Sequence, residues 1–97
     1  MPLEEMLIYV RMNPSSIEGY ASRLSGDYRE EVGRMYSDHI YKAAASSASR
    51  KDYQRVCDIL RHYRQVFGES SQSSMILQLK NQYIRKRAFL DELSKVK

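Results

Sequence analysis

Residues 49–68, SRKDYQRVCDILRHYRQVFG, decide the fold. Tyr53, Val56, Cys57, Leu60, Tyr63 and Phe67 recur at steps of 3, 1, 3, 3 and 4, a spacing that gathers apolar side chains on one face of an α-helix. Lys51, Arg55, Asp58, Arg61, His62 and Gln65 fall on the other side. Ser49 offers a capping hydroxyl, Asp52 stands three residues on, and Gly68 follows the last apolar position, where a residue tolerant of positive φ commonly ends a helix. The spacing predicts a helix over 50–67.

The same reading extends in both directions. Leu3, Met6, Leu7 and Val10 form one face of a helix over 3–12, with Pro2 tolerated at its start. Asn13-Pro14 is a stop followed by a start, and Ile17, Tyr20, Ala21 and Leu24 continue it as a helix over 14–25 that Gly26 is placed to end. Asp27 is a cap for a third helix over 28–48, carrying Tyr28, Val32, Met35, Tyr36 and Ile40, with small residues Ala43–Ala48 that permit close helix contact. On the C-terminal side, Glu69–Ser74 reads as a short Ser-rich linker. Met75, Ile76, Leu79, Tyr83 and Ile84 then give a helix over 72–84, and Ala88, Phe89, Leu90 and Leu93 another over 87–95. No Gly or Pro marks the boundary between those two, so a continuous helix and a break near Arg85 both fit. The expectation is one all-α domain over 1–97, with five or six short antiparallel helices in bundle or TPR-like helix-hairpin packing.

Ninety-seven residues that are 42% hydrophobic and 29% charged suit a small folded domain. Net charge is +4 and uneven: residues 1–49 carry five basic and seven acidic side chains, residues 50–97 eleven and five. The basic C-terminal half suits an acidic protein surface or a nucleic acid, although a solvated Arg-rich helix face has the same composition. The single cysteine rules out an internal disulfide and a multi-Cys zinc site. No signal peptide is read, so a reducing cytoplasmic compartment is expected, and no apolar run is long enough to span a bilayer.

Chemistry-bearing residues are sparse. Cys57 lies on the apolar face, and His62, five residues on, does not share that face, so no thiolate-forming pair is assembled locally. His39 and His62 each neighbour an aspartate at ordinary helical spacing, without the further ligands that a metal needs. Glu30-Glu31 and Asp91-Glu92 read as complements to helix N-terminal dipoles. Phosphate-cradling glycine loops and nucleophile elbows are absent from the sequence. The expectation is a chain that is not an enzyme and has no cofactor or metal.

Several motifs resemble the C-terminal helical region of bacterial SWIM zinc-finger proteins. They are Tyr28-x-x-Glu31-Val32, Tyr36-x-x-x-Ile40, Ala45-Ser46, Arg50-Lys51-x-Tyr53-x-x-Val56-Cys57 and Tyr83-x-Arg85-x-Arg87-Ala88-x-Leu90-Asp91-Glu92-Leu93. The likeness is best from Asp27 onward. The family's zinc motif, Cys-x-Cys followed by Cys-x-His, is absent, and Ala88 stands where a Pro often separates the last two helices. The resemblance implies an excised domain, or a short relative, of a larger cytoplasmic protein. The expected function is therefore interaction or scaffolding, with a protein or neighbouring domain as partner and nucleic-acid binding as the alternative. Candidate contact residues are Lys51, Arg55, Arg61, Arg64, Arg85, Lys86 and Arg87, and a homodimer is a further expectation.

Overall fold

The computed structural model describes residues 2–96, and among these every regular element is helical. Helices α1 (Leu3–Met12), α2 (Ile17–Ala45), α3 (Arg50–Phe67), α4 (Glu69–Gln82) and α5 (Arg87–Ser94) follow one another, with a 3-10 turn at Pro14–Ser16 between the first two. The architecture is all-α. Residues 1–39 and 40–97 form two compact units, each taken here by itself.

In the first unit, Met6, Leu7 and Val10 of α1 are buried, as are Ile17, Ala21, Leu24, Val32 and Tyr36 of α2. The expected helices 14–25 and 28–48 appear as one element, but not as one rod. Tyr28 has non-helical φ −125° and ψ 37°. A straight helix would hold Glu18 and His39 roughly 31 Å apart, yet His39 Nε2 lies 2.7 Å from Glu18 Oε2. The chain therefore reverses at Tyr28, and the two limbs of α2 lie back to back. Gly26 does not end the helix in a left-handed conformation, because Gly68 is the described glycine with positive φ. The reversal is pinned from α1: Arg11 donates to both carboxylate oxygens of Glu31 at 2.6 and 2.9 Å. Tyr9 meets Tyr20 edge-to-face at 5.7 Å.

The second unit is built on α3. Ser49 Oγ accepts from Asp52 N–H, while the Asp52 carboxylate accepts from Ala48 and Ser49 N–H, a reciprocal cap that satisfies donors a helix start leaves orphaned. Those donors, Ala48 first, hold the Asp52 carboxyl below its ordinary value. α2 stops at Ala45 rather than 48, because the Ser46 and Ser47 hydroxyls donate back to the Ala43 carbonyl and compete with the helical ladder. The buried face of α3 is the expected stripe plus Ile59.

One expectation at the C-terminal side needs correction, and one open alternative is decided. Glu69–Ser74 is not a linker: α4 starts at Glu69, directly after Gly68. Gly68, at φ 96°, reverses the chain in one residue, a conformation that a Cβ would strain. The first turn of α4 is anchored by Gln72, buried, whose Nε2 donates to the Leu60 carbonyl at 3.1 Å. The second point is the helix break, which occurs over Tyr83–Lys86 without Gly or Pro. Its cause is tertiary. Phe89, fully buried, stacks on Tyr53 at 4.8 Å and tilts against Tyr83 at 5.4 Å, so α5 must turn back onto α3. Gln72 meets α3 late and Tyr83 shares Phe89 with its start, so α4 runs antiparallel to α3. Met75, Leu79, Phe89 and Leu93 fill the space between these helices.

Candidate functional site

The seven basic residues expected to contact a partner do not form one surface. Lys51 and Arg55 are exposed near the start of α3. Arg61 and Arg64 lie roughly 9–20 Å further along the same helix. Both of the latter face carboxylates of their own chain: Arg61 donates to Asp58 at 2.8 Å, and Arg64 lies 3.8 Å from Glu69. Exposed pairs of this kind contribute little stability, but they lower the net positive charge that α3 offers.

Arg85, Lys86 and Arg87 are brought together in the Tyr83–Lys86 turn and the first residue of α5, all three exposed. Lys86 Nζ sits 5.3 Å above the Tyr83 ring. Among the described residues, neither Arg85 nor Arg87 forms an ion pair. α5 has no side-chain cap and no acidic residue in its first turn. Cations at a helix N-terminus oppose the macrodipole, where carboxylates are the stabilising choice. This turn thus concentrates positive charge without local compensation.

A second cluster, unforeseen from the sequence, is internal. Arg50 Nη1 donates to Asp91 at 3.0 Å and to Glu92 at 2.8 Å, and Lys95 Nζ lies 3.5 Å from each carboxylate. Arg50 holds both carboxyls below their ordinary values, chiefly by these hydrogen bonds, and its own guanidinium is pushed up in return. Asp91 and Glu92 are therefore not dipole complements at a helix start: they occupy the second half of α5 and fasten it to α3. Glu30-Glu31 differs: both residues follow the Tyr28 reversal directly, at the start of the second limb of α2, and Glu31 also accepts from Arg11. The spacing between residue 50 and residues 91–92 carries no local signal, so only the fold reveals the pairing.

The nucleophile and metal candidates are dispersed. Cys57 is buried, and desolvation pushes its thiol up to about 11, away from thiolate formation at neutral pH. His39 is held by Glu18 and its ring meets Tyr36. Among the described residues no group of three or more His, Cys, Asp or Glu side chains is placed to hold a metal ion. A shallow groove of about 140 Å³ is lined by Ala43, Ser46, Ser47, Asp52, Arg55 and Val56. Its carboxylate, Asp52, is committed to the α3 cap. Among the described residues every buried side-chain polar atom has a hydrogen-bond partner, so none aims unsatisfied into a cavity. No described helix is long and apolar enough to cross a membrane. Comparison with protein-family models, curated proteins and solved structures yields no match.

Proposed function

We propose that this chain is a non-catalytic helical interaction module that presents the Arg85–Arg87 turn to an acidic surface on a protein partner or neighbouring domain. One observation carries the reading: three consecutive exposed cations stand at an uncapped helix start, and their two arginines have no ion pair among the described residues. The other expected contacts contribute unequally. Arg61 and Arg64 are partly offset by Asp58 and Glu69, while Lys51 and Arg55 lie near the same end of α3 as the turn.

A nucleic-acid partner would use exposed aromatic faces for base stacking. Tyr53 and Tyr63 are buried, and the Tyr83 ring is engaged by Phe89 and Lys86. That burial favours protein over nucleic acid. The proposed likeness to the SWIM C-terminal region supports a module that works beside another domain.

Fluorescence anisotropy with a labelled acidic peptide and a labelled single-stranded oligonucleotide tests the proposal. Binding of the peptide should weaken about tenfold in the Arg85→Glu/Arg87→Glu variant and change little in Arg61→Glu/Arg64→Glu. Equal losses in the two variants, or no peptide binding at low salt, would overturn it.

A further inference from the structure

Resting on the cationic surface proposed above, we infer that Arg50 is a positioning residue for it: by holding the Asp91 carboxylate against α3, Arg50 keeps that carboxylate off Arg87 and leaves the charge of the turn open to a partner. Arg87 and Asp91 stand four residues apart within α5, the interval at which opposite charges on a helix surface pair. Both are exposed. Among the described residues they form no ion pair with one another. Asp91 Oδ2 instead accepts from Arg50 Nη1 at 3.0 Å and lies 3.5 Å from Lys95 Nζ. Spacing along the chain offers Asp91 either Arg87 or Lys95, each four residues away. The fold adds a third cation from forty-one residues upstream, and that one takes the carboxylate.

The neighbouring carboxylate explains why Arg50 matters more than Lys95. Glu92 is buried, and a buried carboxylate depends on its partners far more than an exposed one does. One guanidinium nitrogen of Arg50 serves both, reaching Glu92 at 2.8 Å as well as Asp91. With Arg50 gone, Lys95, 3.5 Å from each carboxylate, is drawn to Glu92. Asp91 is then released, and Arg87 is the cation one helical turn away from it. Their pairing would offset one of the three charges that the turn presents.

Two readouts on the full chain test this. The first is the Asp91 carboxyl titration followed by NMR, which needs no partner. Arg87→Gln should leave it in place in the wild-type chain and raise it in Arg50→Gln, where Asp91 faces Arg87. A clear rise in the wild-type chain overturns the inference whether or not Arg50→Gln folds, and so does the lack of a rise in a folded Arg50→Gln chain. The second is anisotropy with the acidic peptide. Arg50→Gln should bind about twofold more weakly, the size of one exposed helical ion pair. Adding Asp91→Asn should restore wild-type affinity, whereas adding Asp58→Asn, which gives the same net charge and unpairs Arg61, should not. Equal recovery in the two double variants assigns the loss to overall charge. No recovery with Asp91→Asn assigns it to a direct contact between Arg50 and the peptide. Either result overturns the inference while the cationic surface stands. Absence of peptide binding to the wild-type chain overturns that surface and the role of Arg50 in it, whatever the titration shows of Asp91.

Discussion

Replacing Phe89 by alanine tests the account of the α4–α5 break most directly. The ring is fully buried and contacts Tyr53 at 4.8 Å and Tyr83 at 5.4 Å. Truncating a buried Phe costs about 3–5 kcal/mol in transfer and cavity terms. Aromatic pairs of this geometry contribute roughly 0.5–1.5 kcal/mol beyond burial, which places Phe89→Ala near the upper end of that range. A chain of this length has a total stability of about 5–15 kcal/mol, so a large share is lost. Urea denaturation followed by circular dichroism measures the change. An eight-residue helix does not hold by itself in water, so amide exchange in α5 should accelerate well before exchange in α1. Leu90→Ala, at a partly exposed position beside Phe89, is the control and should cost far less. If Phe89→Ala costs under about 1 kcal/mol, or if α5 amides keep their protection, the break has another cause.

Three further outcomes are expected. Ser49→Ala removes the hydroxyl that accepts from Asp52 N–H and should destabilise the chain by about 1 kcal/mol in the same denaturation assay. Glu92, Asp91 and Asp52 all have folded-state values below their ordinary ones, so their contribution is present above the ordinary carboxylate range and is lost as pH falls through the lowered values; Glu92→Gln should flatten the acid limb of a stability–pH profile, and an unchanged limb would contradict the Arg50 pairing. Cys57, buried with its thiol at about 11, should react with a thiol reagent at mildly alkaline pH only after unfolding, so rapid native labelling would refute its burial.

How far the sequence could be read depended on where each cause lies along the chain. α3 was legible because its cap, stripe and stop are all local: Ser49 with Asp52, Tyr53 to Phe67, then Gly68. The start of α4 was not. Its Ser-rich composition suits a loop, and what makes it helical is Gln72 reaching the Leu60 carbonyl, a partner twelve residues back. The break at Tyr83–Lys86 was open for a related reason, since it is imposed by Phe89 packing on Tyr53 rather than by a breaker residue. Among the candidate contacts, charge could be counted in advance but compensation could not. Arg61 and Arg64 look like Arg85 and Arg87 in a string of letters, and only the folded chain places Asp58 and Glu69 beside the first pair.

Gly68 also sets the order in which the second unit assembles. With one residue joining α3 to α4, closing that hairpin costs little loop entropy, and its contacts are separated by short stretches of chain. Docking of Phe89 and Arg50–Glu92 instead closes loops of about forty residues, the costlier step. Substitutions at Leu60 or Leu79 should therefore slow refolding, whereas those at Phe89 or Arg50 should mainly speed unfolding. The Arg85–Arg87 turn, lying between α4 and α5, takes its final form only after the hairpin that carries it already stands.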